Sequence, residues 1–151
     1  MNRFHLLRPA VILLAALGII SLTTRAMAED RPLQARSTAV LNLATGDFVA
    51  AGNGTHLGSY TETGNVVISG DNPAAFHVEG SATLIAANGD KLFATFTGQL
   101  NFFTGAITAT LTYGGGVSSG RFENASGSAN LTAQFQADGT LSVAVAGTIN
   151  Y

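Results

Sequence analysis

The 151-residue chain contains no cysteine and no tryptophan, and only 11% of its residues are charged. Without cysteine it cannot form a disulfide scaffold, a Cys-based zinc site, a thiol nucleophile or a lipid-modified N-terminal cysteine. Hydrophobic residues nevertheless make up 46% of the chain, which excludes a disordered polar tail. The length accommodates one domain at most.

The first 28 residues have the pattern of a secretory signal peptide. Arg3 and Arg8 precede an apolar stretch at residues 10–20, and Ala-Met-Ala at 26–28 is followed by two acidic residues. The apolar stretch is well short of the roughly 20 residues that a membrane-spanning helix needs, so a retained anchor is the weaker interpretation. We predict a signal peptide at residues 1–28, cleavage after Ala28, and a secreted or periplasmic location.

Basic residues are scarce once the signal peptide is removed. Residues 29–151 carry four basic and nine acidic residues, a net charge of −5, and the basic ones are scattered singly at positions 31, 36, 91 and 121. A nucleic-acid-binding protein needs clustered Lys and Arg to neutralise phosphates. The sequence therefore excludes nucleic acid as a partner, and no pattern in it indicates a cofactor.

From residue 37 onward, apolar and polar residues alternate, as in strands with one buried face. The clearest runs begin at residues 76, 92, 107, 131 and 141, and the run from 92 places Phe96 and Phe102 on the buried face. Two less regular runs lie at 38–43, with a continuation towards 51, and at 55–68, where Gly64-Asn65 predicts a bend or turn. Helical spacing is not apparent in this region.

Short connections between these runs predict an antiparallel sheet. Asn88-Gly89 and Asp138-Gly139 are typical of tight primed hairpin turns. Such short links join only antiparallel neighbours, and closing the resulting meander into a barrel removes its exposed edges. We predict an all-β fold, an antiparallel closed β-barrel of about eight strands over residues 37–151, with residues 29–36 as an N-terminal extension.

The predicted inner face is rich in small residues. Gly80, Gly98 and Gly147 fall in mid-strand on the apolar face, where a missing side chain lets the sheet coil or leaves room beside a phenylalanine. A barrel of eight strands is just wide enough to be filled by side chains or to hold one small ligand. The sequence leaves open whether the lumen contains a cavity or is filled by aromatic rings.

Three segments together carry a family resemblance. They are Gly-Thr-His-Leu-Gly at 54–58, Ala-Ala-Asn-Gly-Asp-Lys-Leu at 86–92, and a stretch at 114–127 that begins Gly-Gly-Gly and ends Gly-Arg-Phe-Glu-Asn-Ala-Ser-Gly. They resemble the bacterial allene oxide cyclase barrel-like proteins, which are similar to plant dirigent proteins. The resemblance implies an eight-stranded antiparallel barrel whose lumen holds an apolar small molecule. Its motifs are turns and corners, so it identifies no catalytic residue.

Four residues are candidates for ligand binding. His56, Tyr60 and Glu62 share one parity on a predicted strand and could line a barrel mouth as acid, hydrogen-bond donor and base, with packing at a strand end as the alternative. Arg121 follows a glycine-rich loop whose N–H groups could hold an anion, and bonding to loop carbonyls or a carboxylate is its alternative. No spacing of residues indicates a metal site.

These observations leave several functions open. The leading hypothesis is a secreted or periplasmic barrel that binds a small apolar molecule, or serves as a stable module, without catalysis. The resemblance implies a cofactor-free cyclase or isomerase as the alternative. An outer-membrane barrel is a third, but the absence of tryptophan argues against aromatic girdles, so membrane association is not expected after cleavage. Self-association into a homo-oligomer is also left open.

Overall fold

The computed structural model describes residues 29–151, so the predicted signal peptide at 1–28 lies outside the described residues. Each strand pairs with the next and β8 pairs with β1, which confirms the predicted all-β, closed antiparallel barrel of eight strands. Within residues 29–151, no helix has the length and hydropathy needed to span a membrane. The elements are β1 Arg31–Leu41, β2 Asp47–Gly54, β3 Gly58–Ser69, β4 Phe76–Ile85, β5 Lys91–Asn101, β6 Ala106–Tyr113, the 3₁₀ helix η1 Gly120–Phe122, β7 Ser126–Phe135 and β8 Leu141–Asn150.

Strand β1 closes the barrel and begins earlier than the sequence suggested. It pairs with β8 from Arg31 opposite Ile149 onward, so it includes most of residues 29–36, which were expected to form an extension. Leu33 and Ala35 are buried and continue the alternation of the strand towards its start. Arg31 and Pro32 obscure this pattern in the sequence, because charged residues and proline are both depleted in strands.

Side chains alternate between an apolar inner face and an outer face that is mostly polar but also exposes Val40, Val49 and Val67. The largest fully buried side chains are those of Phe122, Leu33, Leu57, Leu92, Ile149 and Val78. Outside, threonines are paired across strands, as in Thr97 opposite Thr110. These β-branched residues suit a pleated surface and pack against their cross-strand neighbours. The core of the protein is therefore the lumen of the barrel.

The predicted hairpins are present, but the predicted turn type is wrong. In the first, the N–H of Ala86 donates to the carbonyl of Asp90 at 2.9 Å, which leaves a three-residue loop. Only Gly89 has a positive φ, of 88°, whereas a two-residue turn requires it at both central positions for type I′ and at the first for type II′. The Asn88 side chain instead accepts the N–H of Asp90 at 3.2 Å. The second hairpin, at 138–139, has the same form.

The segment does not turn at Gly64-Asn65, because β3 continues through it to Ser69. Gly64 instead makes room for an aromatic ring: a Cβ there would lie 2.5 Å from Cζ of Phe48. A Cβ at Gly80 would lie 2.6 Å from Cζ of Phe96, which confirms the predicted role of that glycine. The two rings meet in the lumen with their centroids 6.2 Å apart.

Phe102 does not face inward, and that prediction is wrong. Strand β5 ends at Asn101, and Phe102 lies in the following turn with 67% of its surface exposed. The Asn101 side chain accepts the N–H of Phe103 at 3.0 Å, so the backbone leaves the sheet there. The period-two alternation that predicted the buried position ends with the strand.

The two ends of the barrel differ. We call the end that carries the connections β2–β3, β4–β5 and β6–β7 the plugged end, and the end that carries the other four connections the open end. At the plugged end, the fully buried Phe122 of η1 and the buried Leu57 and Ile149 fill the lumen. Tyr151 packs on Phe122 with ring centroids 5.0 Å apart. Access to the lumen is therefore from the open end.

Candidate functional site

A cavity of about 80 Å³ remains in the half of the lumen nearer the open end. Leu41, the last residue of β1, and Leu141, the first of β8, border it where it is partly open. The lumen is thus only partly filled, because the rings of Phe48 and Phe96 extend into it and leave this cavity between them and the other lining side chains. Residues of all eight strands line the cavity, and one of them is charged: Ala39, Leu41, Phe48, Ala50, Glu62, Val66, Ile68, Val78, Phe96, Ile107, Ala109, Leu111, Leu131, Ala133, Leu141 and Val143.

A second, smaller void of about 20 Å³ lies nearer the plugged end. Tyr60 and Tyr113 line this void, and Glu62 lines both spaces. Glu62 therefore lies at the floor of the larger cavity, together with Leu111, Leu131 and Val143, which also line both spaces. The two tyrosines lie beyond this floor, around the smaller void.

Glu62 sits in mid-strand on β3, opposite Ala50 of β2 and Leu84 of β4. Burial among apolar side chains raises the pKa of its carboxyl from the ordinary 4.5 to about 7, because the charged form loses its hydration. Both protonation states are therefore populated near neutral pH. A carboxyl of this kind can accept or donate a proton, or serve as the counterion of a bound cation.

Two buried phenols accompany this carboxyl. Burial raises the pKa of Tyr60 and of Tyr113, and the charge of Glu62 raises both further. The nearby Ser37 hydroxyl lowers the pKa of Tyr60, although the two hydroxyls are not placed to form a hydrogen bond. Within the described range, Oγ of Ser37 and Oη of Tyr113 are buried without a hydrogen-bond partner. The lumen thus holds un-ionised hydroxyls with unused hydrogen-bonding capacity.

The structure brings two of the four predicted site residues together in the lumen, Tyr60 and Glu62. His56 does not join them, because it lies in the β2–β3 turn with a φ of 66° and lines neither cavity. Its Nε2 lies 3.0 Å from the carbonyl oxygen of Pro32, to which it donates since a carbonyl only accepts. Its ring packs against Tyr151 at 5.7 Å between centroids.

Arg121 lies at the plugged end and also lines neither cavity. Its guanidinium donates to the carbonyl of His56, and its Nε lies 3.4 Å from a carboxylate oxygen of Asp90. Its Cζ stacks 4.9 Å from the ring centroid of Phe122. This is the corner arrangement considered as the alternative for Arg121, and it ties three connections of the plugged end together.

Sequence reasoning missed Tyr113 and Ser37 as polar members of the lumen. Tyr113 ends an otherwise aliphatic inward run on β6, and Ser37 has the same parity as the buried Leu33 and Ala35 on β1. The signal in the sequence was a polar side chain at a position that the alternation assigns to the inner face. It could not show that Tyr113 lines one void together with Glu62, since that depends on the register of non-adjacent strands.

Comparisons of the chain with protein-family models, with curated proteins and with solved structures found no match. Within residues 29–151, no group of three His, Asp or Glu residues is placed to hold a metal ion.

Proposed function

We propose that this protein is an exported barrel that binds a small apolar molecule in its lumen. The partly open cavity of about 80 Å³, with an almost wholly apolar lining, is the observation that carries this proposal. Preformed apolar clefts with few polar groups are the usual sites of small ligands, and β-barrel mouths are a common place for them. The resemblance to allene oxide cyclase barrel-like proteins implies a lumen of the same kind.

Export and a water-facing exterior are parts of the same proposal. The charge, apolar stretch and small residues of positions 1–28 support a cleaved signal peptide. The exterior carries exposed polar residues such as Thr97 and Thr110, whereas the lumen is apolar. An outer-membrane barrel has the opposite polarity, with an apolar band outside, so this distribution supports the exported barrel over that alternative.

Native mass spectrometry of protein purified without detergent tests luminal binding. We expect a co-purified compound, or uptake of one equivalent of a small neutral apolar probe such as benzene, whose size suits a cavity of about 80 Å³. Ala133→Leu fills the cavity and should weaken binding at least tenfold, while the matched control Ala144→Leu, on the exposed side of β8, should bind as the wild type does. A wild-type barrel that carries no compound and takes up no probe would refute the proposal.

A cyclase or isomerase is the second candidate, and Glu62 favours it. A carboxyl with a pKa of about 7 beside two buried phenols is suited to general acid–base catalysis near neutral pH. An allene oxide, the substrate class in the name of the resembled family, would be the first compound to test. Chiral chromatography should show an enantiomeric excess in the cyclised product that Glu62→Gln lowers, and a racemic product would refute this candidate.

A further inference from the structure

The one charge in the cavity lies at its deep end. Val66 and Ile68 follow Glu62 along β3 towards the open end, and both line the cavity above it. A chain-like molecule that enters from the open end would contact aliphatic side chains first and Glu62 last. Beyond this floor, the hydroxyls of Tyr113 and Ser37 have no hydrogen-bond partner among residues 29–151.

The open end is acidic. Asp71 and Asp138 lie in its turns, and Asp47 begins β2 beside it. Hydrogen bonds from Asn65 and Thr140 lower the pKa of the Asp47 and Asp138 carboxyls, respectively, so both are ionised at neutral pH. The approach to the cavity therefore has a negative potential.

The Lys and Arg side chains of the described chain lie away from this approach. Lys91 and Arg121 are at the plugged end, together with Arg31 at the start of β1, and Arg36 is exposed on the outside of that strand. His77 is near the open end, at the second position of β4, but it lies on the outer face, where it is paired with Glu79 at 3.6 Å. Among residues 29–151, an anionic ligand would therefore find no Lys or Arg side chain at the mouth or in the cavity.

Exposed apolar side chains accompany the acidic residues at the open end. Leu43 is 69% exposed in the β1–β2 turn, and Phe102 and Phe103 are 67% and 73% exposed in the β5–β6 turn. Such side chains can contact the part of an apolar chain that extends beyond the cavity. The open end therefore combines apolar contacts with negative charge.

We propose that the luminal ligand is a cationic amphiphile, an apolar chain ending in a protonated amine that pairs with Glu62. This inference rests on the proposed luminal binding and names the chemical class of the ligand. An ammonium group donates three hydrogen bonds, and a buried ion pair is favourable only when those donors are satisfied. The Glu62 carboxylate provides acceptors at the floor of the cavity, and Tyr60 and Tyr113 line the smaller void beyond it.

A titration with three ligands of equal chain length tests the inference. Octylamine, 1-octanol and octanoate would be added to ¹³C-methyl-labelled protein at pH 7.5, and dissociation constants read from the methyl shifts of lining residues such as Leu141. Octylamine should bind about tenfold more tightly than octanol, because a charge-assisted hydrogen bond is stronger than a neutral one, and octanoate most weakly. At pH 5.5 the preference for the amine should shrink, because Glu62 is then protonated while Tyr60 and Tyr113 stay neutral.

Two variants show which carboxyl is responsible. Glu62→Gln should abolish the preference for octylamine and keep octanol binding, which also shows that the variant is folded. Glu79→Gln, on the outer face of β4, should keep the preference. In the wild type, saturating octylamine should lower the pKa of Glu62, as read from its carboxyl ¹³C shift, and this measurement is independent of any variant.

The results distinguish the amine assignment from luminal binding as such. Equal affinity for the three ligands, tighter octanoate binding, or an unchanged Glu62 pKa in the presence of octylamine would overturn the amine assignment and leave luminal binding in place. If none of the three ligands binds and no apolar probe enters the barrel, the proposed function itself is refuted.

Discussion

Replacing Glu62 with glutamine would measure how strongly the lumen desolvates this carboxyl. Its pKa rises from 4.5 to about 7 on folding. At about 1.4 kcal/mol per unit, this shift corresponds to roughly 3 kcal/mol of differential stability between the two protonation states. The folded state binds the proton more tightly, so the contribution is fully present below pH 4.5 and is lost as the pH rises through 7. Between pH 5 and pH 8, the wild type should lose about 2 kcal/mol through Glu62 alone.

Urea denaturation at pH 5 and pH 8 gives this difference directly. Far-UV circular dichroism is the suitable signal, since the chain has no tryptophan. Glutamine has nearly the shape of glutamate and does not titrate, so Glu62→Gln should remove about 2 kcal/mol of the pH dependence and leave the part that comes from other groups. The variant should therefore gain stability relative to the wild type as the pH rises.

Glu79→Gln is the matched control, because its side chain faces water on β4 and is 62% exposed. We expect this variant to keep the full pH dependence of the wild type. If Glu62→Gln and the wild type lose the same free energy between pH 5 and pH 8, the carboxyl is hydrated in the folded protein. This result would rule out a dry acidic floor in the lumen.

Three further substitutions test the packing. Gly80→Ala should lower the free energy of unfolding by about 2 kcal/mol, because the added methyl would lie 2.2 Å from the backbone oxygen of Asn65 and 2.6 Å from Cζ of Phe96. A melting temperature equal to that of the wild type would contradict this. Arg121→Ala should lower the free energy of unfolding in urea by about 1 kcal/mol, because the bonds to Asp90 and to the carbonyl of His56 are lost. Luminal binding should be unchanged, and weaker binding would place Arg121 in the site. Tyr113→Phe removes a hydroxyl without a partner and should be neutral or stabilise by up to about 1 kcal/mol, while a loss of more than 1 kcal/mol would indicate a hidden hydrogen bond.

The barrel could be predicted because its strands have a strict alternation along the sequence. Val78, Ala82 and Leu84 of β4 are buried as their parity requires, and their neighbours face outward. The errors occur where the backbone leaves this regular geometry. Phe102 follows the end of β5, and the turn at Asn88-Gly89 has one residue more than the predicted type. An Asn-Gly pair does not by itself specify how many residues the turn contains, because the length of the turn and the register of the flanking strands are set together.

The candidate site was predictable only in part, for a related reason. Tyr60 and Glu62 share one strand, so their common face follows from the sequence alone. His56 has the same parity but precedes the strand, in a turn where parity has no meaning. Tyr113 belongs to β6, three strands away from β3, and faces Glu62 across the lumen only because the sheet closes.

Alternation of apolar and polar residues, together with short glycine-containing links, therefore determined the strands, their inward faces and their antiparallel order, since each of these depends on neighbours a few residues apart. The pairing of β1 with β8, the cavity and the meeting of Glu62 with two tyrosines were decided by the tertiary structure. Closure places distant strands face to face and removes water from between them. The raised pKa of Glu62 is a consequence of that desolvation, which no local pattern in the chain encodes.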